Sequence, residues 1–85
     1  MRIDLLLKHL CLAKSRSIVK GWCERELVKI NGAAARPSAS VRPGDRVTIR
    51  YATRTVTIEL REIPTGQVSK SRAPDYYVEV DAPTA

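Results

Sequence analysis

The sequence has no Phe, one Trp, one Met, one His and two Cys among its 85 residues, and each scarcity removes a class of function. A single imidazole, His9, beside one thiol does not make a zinc site, which needs several ligands at close spacing, so no metal is expected. Cys11 and Cys23 fall far short of the cysteine density of a secreted disulfide scaffold, and both lie in apolar stretches read as helical. They are expected to be buried, reduced thiols. No apolar run approaches the roughly 18 residues that cross a bilayer, and the N-terminus lacks the basic, apolar and cleavage segments of a secretory signal. A cytoplasmic protein with no membrane partner is the expectation. Enzyme chemistry needs a nucleophile with its base, paired carboxylates, a metal or a glycine-rich phosphate loop, and none can be assembled from these residues. A non-enzymatic protein without a cofactor is expected.

What is present is positive charge, and it is unevenly placed. The net charge is +6, yet residues 1–50 carry eleven Lys and Arg against four acids (11 − 4 = +7) while residues 51–85 carry four against five (4 − 5 = −1). Field strength depends on clustering, so an anionic partner meets the first half. A chain of this length buries only about 60–65% of its unfolded surface, which allows one modest core and no elaborate cleft.

Ile3, Leu6, Leu7 and Leu10 recur at helical spacing and predict a first helix over 4–12. Ser15 is placed to cap a second, from 16 to about 25, with Val19, Trp22 and Cys23 on its apolar stripe. Gly21 inside that helix costs about 1 kcal/mol relative to Ala, which predicts close approach of another backbone there. Val28 and Ile30 alternate with Lys29 before Asn31-Gly32, a two-residue hairpin signal, and Pro43-Gly44-Asp45 marks a type II bend before a strand from Arg46. Val47, Ile49 and Tyr51, then Val56, Ile58 and Leu60, alternate with polar residues as two half-buried antiparallel strands. Residues 64–75 read as a polar linker or mobile loop. Tyr76, Val78 and Val80 permit a short edge strand, with a frayed tail as the competing reading.

Lys14, Arg16, Lys20 and Arg25 lie on or beside the second helix, with Lys29 on the adjoining strand. Arg16 and Lys20 are one turn apart and project together, opposite much of the Val19, Trp22 and Cys23 stripe. Such a ridge suits phosphate contacts, where Arg adds a bidentate grip. Trp22 and Tyr51 align with apolar neighbours and are assigned to the core rather than to base stacking. Tyr76 and Tyr77 remain open, although Asp75, Glu79 and Asp81 make that end unattractive to phosphate.

The ordered set Arg2-Ile3-Asp4, Ser15-Arg16-Ser17, Val28-Lys29-Ile30-Asn31-Gly32, Pro37-Ser38, Val41 and Pro43-Gly44-Asp45 resembles the small RNA-binding domain named after the fourth protein of the small ribosomal subunit, the alpha-L motif. The resemblance covers about residues 1–50 and implies an α+β fold in which two short N-terminal helices pack on a small, mainly antiparallel twisted sheet, here followed by a C-terminal extension. It divides the chain into an RNA-binding domain, 1–63, and a linker with extension, 64–85. Transferring the family's basic positions gives Arg2, Lys8, Lys14, Arg16, Lys20 and Lys29 as RNA-binding candidates, flanked by Arg36 and Arg42, while Asp4 is left as a structural acid at a helix start. The family usually has Gly where this chain has Glu26, so a different end to the second helix is expected. Beyond residue 50 the order of segments is similar to a ribosome-associated heat-shock family. That closer resemblance implies binding to the large ribosomal subunit and its RNA, in heat-shock stress or rescue of stalled subunits; a monomer is expected. Two other readings stand beside it: a helix-turn-helix DNA-binding protein and a basic module docking an acidic protein.

Overall fold

Seven residues wind into the first helix, α1 (Ile3–His9), because Ile3, Leu6 and Leu7 form one apolar stripe, and each of them is fully buried. The second, α2 (Arg16–Glu24), starts where the Ser15 hydroxyl accepts the Ile18 N–H at 3.3 Å, as the sequence predicts. In the computed structural model the described residues, 1–80, continue as β1 (Val28–Ile30), β2 (Ala33–Ala34), β3 (Arg46–Arg50), β4 (Thr55–Leu60), a 3-10 turn (Ala73–Tyr76) and β5 (Tyr77–Val80).

The five strands form one sheet in the order β2-β1-β3-β4-β5, and every neighbouring pair is antiparallel. Asn31 and Gly32, with φ of 52° and 86°, make the two-residue turn of the β1–β2 hairpin, and Gly44 takes φ 95° in the Pro43-Gly44 bend. Val28, Val47, Ile49, Ile58 and Leu60 project from one sheet face onto Ile3, Leu6, Leu7, Leu10 and Val19, and this single layer contact is the core. The α+β architecture read from the sequence is therefore the observed one. Thr57, read as a solvent-facing strand position, is 2% exposed because β3 and β5 flank it, and its hydroxyl pairs with that of Thr48 at 3.0 Å.

Residues 77–80 follow the strand reading rather than the frayed tail. They pair with β4, while residues 81–85 of the predicted extension lie outside the described residues. Between β4 and the 3-10 turn the polar stretch is fastened at several points. Pro64 and Ala73 are buried, and the Val68 N–H donates to the His9 carbonyl at 3.1 Å.

Both helices end in the same way, which corrects two expectations. α1 stops at His9 rather than running to residue 12, because Cys11 adopts φ 59°, with its N–H on Lys8 O and the Leu12 N–H on Leu7 O. In α2, Glu26 adopts φ 59°, with its N–H on Cys23 O and the Leu27 N–H on Trp22 O. These are Schellman turns. Glu26 therefore takes the left-handed geometry the family builds with Gly, at a backbone cost of about 1–2 kcal/mol. Cys11, expected within a buried helical stripe, instead lies beyond the helix and is only half-buried, whereas Cys23 is buried.

Gly21 also departs from expectation: a Cβ built there meets nothing within 4 Å, so the helices pack without it. The two positions thus hold each other's preferred residue. Gly21→Ala is expected to raise stability by about 0.5–1 kcal/mol through helix propensity. Glu26→Gly should raise it by a similar amount through relief at positive φ, less the added unfolded-state entropy. Urea denaturation of the two variants checks both values.

Candidate nucleic-acid interface

One wall of the site is made where residues 1–4, leading into α1, lie antiparallel to residues 37–41 through a single bridge between Arg2 and Ser40. The Ile3 N–H donates to Ala39 O at 2.8 Å, the Asp4 N–H to Pro37 O at 3.2 Å and the Val41 N–H to Met1 O at 2.9 Å. This ties the start of α1 to the Pro37-Ser38 bend and sets Arg2 and Asp4 beside the first turn of α2. The result is a groove lined by Arg2, Asp4, Arg16, Ser17, Lys20, Pro37 and Ser38.

At its floor lies Asp4, with a side chain only 6% exposed. Its Oδ1 accepts the Leu5 N–H at 2.7 Å, satisfying one of the free donors at the start of α1. Arg2 grips the carboxylate with two donors, Nε to Oδ1 and Nη2 to Oδ2, both at 3.1 Å. Arg16, arriving from α2, places Nε and Nη2 at 3.4 Å from Oδ2. A buried carboxylate costs several kcal/mol unless paired, so the geometry supplies Asp4 with two cations. Each cation is held by its Nε and Nη2 side, and the Nη1 group of each has no intraprotein hydrogen bond among the described residues. The Arg2 and Arg16 side chains remain about half exposed, at 49% and 47%. Two guanidinium groups are thus fixed in direction while keeping donors for a ligand, and Lys20, one turn beyond Arg16 and exposed, extends the row.

Other sequence-predicted positions are distributed around this groove. Lys8 and Lys14 line a second groove with Cys11, Leu12, Ala13, Gln67 and Lys70. Arg36 borders a third depression, among Ile30, Ala33 and Ser40. Arg42 is exposed in the bend before β3, where its backbone N–H donates to Asp45 Oδ2 at 3.1 Å. Lys29 stands on the sheet face turned away from the helices, in a row with Thr48 and Thr57, so the structure does not bring it to the Arg16–Lys20 ridge. The strand alternation that buries Val28 already placed it there.

The aromatic residues take part in packing. Trp22 meets Tyr51 edge-on, with ring centroids 5.5 Å apart, and the Tyr51 hydroxyl donates to Leu12 O at 3.2 Å. Both are half-buried, so Trp22 is a flank of the core rather than its centre. Burial raises the Tyr51 and Tyr77 hydroxyl pKa values, helped at Tyr51 by the neighbouring Tyr77, against Arg54, and at Tyr77 by Glu79 and Cys11. Burial also raises that of the Cys23 thiol, with the Asp4 carboxylate adding to it, so Cys23 stays neutral near neutral pH. Among the described residues no three His, Cys, Asp or Glu side chains gather as metal ligands, and no helix is long and apolar enough to cross a membrane.

Fold and groove together define a small module of two helices on a sheet that presents ordered cations. Residues 1–47 match the family model of the S4 domain, and the chain belongs to that family. Among its relatives are proteins named RQC P-site tRNA stabilizing factor. The one from Bacillus subtilis is 36% identical over 63 residues, covering 74% of this chain and 73% of its own. That from Listeria innocua is 31% identical over 77 residues, covering 91% and 83%. The trimeric structure of Vibrio cholerae Heat Shock Protein 15 superimposes with a TM-score of 0.88 at 30% identity, covering 94% of this chain and 81% of that one. The heat-shock resemblance of the sequence beyond residue 50 is thereby matched in structure.

The role of Asp4 as the anchor of both arginines was not read from the sequence, since nothing there pairs it with a residue twelve positions away. Asp4→Asn keeps an acceptor for Leu5 N–H but removes the charge. It is expected to cost about 1–2 kcal/mol in thermal or urea unfolding and to weaken RNA binding about tenfold through loss of arginine order.

Proposed function

We propose that this protein is a non-enzymatic, cytoplasmic RNA-binding factor that associates with the ribosome and holds structured RNA of the large subunit, in a heat-shock or ribosome-rescue role. The carrying observation is the groove in which buried Asp4 fixes Arg2 and Arg16 side by side with donors to spare. The relatives are named for stabilizing tRNA in the P site, and the same chemistry here would serve an RNA backbone: two preset arginine forks and the Lys20 ammonium meet phosphates. Fixing the guanidinium groups in the free protein lowers the side-chain entropy lost on binding. The +7 charge of residues 1–50 steers the encounter at long range. In this reading Arg2, Arg16 and Lys20 form the main contact, Lys8 and Lys14 adjoin it, and Lys29, Arg36 and Arg42 are peripheral. The protein acts by holding RNA in place, without bond-making chemistry.

Cosedimentation in sucrose gradients is expected to place the protein with the large ribosomal subunit, and recovery only in ribosome-free fractions would contradict this. In competition at fixed salt, structured RNA should displace the protein from duplex DNA of equal length. Equal or stronger DNA binding would favour the helix-turn-helix reading instead. Arg16→Ala and Lys20→Ala should each flatten the slope of log K against log salt by roughly 0.7–0.9. Lys20→Ala should leave stability unchanged, whereas Arg16→Ala should lower it by removing one partner of buried Asp4 while Arg2 keeps the domain folded. Trp22→Ala, half-buried against Tyr51, should destabilise by about 2–3 kcal/mol, below the cost of a fully buried Trp, and keep that slope.

A further inference from the structure

The residues matching the S4 domain end at position 47, and the chain adds β4, the polar stretch, the 3-10 turn and β5 beyond them. That addition does more than complete the sheet. Cys11, turned to positive φ at the end of α1, directs its thiol to Val68 O at 3.2 Å. The Val68 N–H returns to His9 O at 3.1 Å, and Gln67 Nε2 lies 3.4 Å from both His9 O and Cys11 Sγ. These contacts lay residues 67–70 along the turn between the helices and build the second groove.

Three segments each contribute one lysine to this groove: Lys8 from the last turn of α1, Lys14 from the residue before the α2 cap and, distant in sequence, Lys70 from the extension. No carboxylate lines it, and among the described residues none of the three forms an ion pair, whereas Arg46, Arg54, Arg61 and Arg72 all do. Three like charges converging without a counter-ion repel one another in the free protein. An anion that enters relieves the repulsion. Lys70 is the only lysine of the near-neutral second half.

We propose that this groove is a second phosphate-binding site, in which Lys70 joins Lys8 and Lys14 on the RNA backbone at a place distinct from the Arg2–Arg16–Lys20 groove. It rests on the RNA-binding reading and deepens it. Lys14 and Arg16 flank Ser15, so the two grooves meet at the start of α2, and RNA is held on both sides of the turn between the helices. The extension then contributes directly to affinity.

The test uses the full chain with purified ribosomal RNA, titrated with salt. Lys70→Ala is expected to reduce the slope of log K against log salt by roughly 0.7–0.9, and Lys70→Glu to lower affinity at least about tenfold at moderate salt. Arg61→Ala, a cation engaged with Glu59, should leave the slope unchanged. Saturating RNA should also slow maleimide alkylation of half-exposed Cys11, with buried Cys23 as the internal reference. If Arg16→Ala weakens binding while Lys70→Ala and Lys70→Glu leave affinity and slope at wild-type values, the second site is overturned and the RNA-binding reading stands. Unchanged Cys11 alkylation in the RNA complex also overturns it. If the wild-type chain fails to bind structured RNA, both fall together.

Discussion

The buried Asp4 carboxylate is the constraint on which the rest of the arrangement depends. It sits at the first turn of α1 with its side chain 6% exposed, and a charge so placed must be surrounded by donors or it destabilises the fold. The chain meets that need with one backbone N–H, from Leu5, and two arginines from different segments. What satisfies the carboxylate also fixes the packing of α1 against α2 near Arg16 and the direction of two guanidinium groups. Stability and the proposed binding surface are consequences of one interaction. Surface ion pairs are ordinarily worth little, but here one partner is buried and the geometry at Arg2 is bidentate, the arrangement in which such pairs matter.

The two Schellman turns show a second economy. Each helix is stopped by a non-glycine residue at φ 59°, Cys11 or Glu26, where Gly would relax the backbone. At Cys11 the strained residue directs its thiol to the C-terminal stretch, so replacing it by Gly would relax the turn but lose that tie. At Glu26 the side chain is exposed and forms no ion pair or side-chain hydrogen bond among the described residues, so nothing in the structure explains the acid there.

Much of the fold was legible because it follows from periodicity and turn chemistry. The α1 and α2 stripes, the Ser15 cap, the Asn31-Gly32 hairpin and the Pro43-Gly44 bend each depend on residues close in sequence, and each is observed. What was illegible depends on contacts across the chain or on residues that break local preference. The end of α1 was misplaced, and α2 was expected to end without a left-handed turn, because a left-handed Cys or Glu carries no sequence signal. Gly21 suggested a close approach, yet an isolated glycine in a helix has no unique cause. The candidate cations could be named from charge and resemblance, but their grouping could not. Arg2 joins Arg16 through Asp4, Lys70 reaches Lys8 and Lys14 by tertiary hydrogen bonds, and Lys29 sits on the far side of the sheet. That last position alone was recoverable, from the alternation with Val28 and Ile30.

The central claim is that Asp4 acts on RNA through the arginines it holds rather than through the fold at large. A double-mutant cycle on RNA affinity, combining Asp4→Asn with Arg16→Ala and correcting for any unfolded fraction, tests this most directly. The account predicts strong coupling: once Arg16 is gone, Asp4→Asn costs markedly less affinity than it does in the wild-type chain. Strictly additive losses, with Asp4→Asn costing the same in both backgrounds, would contradict it.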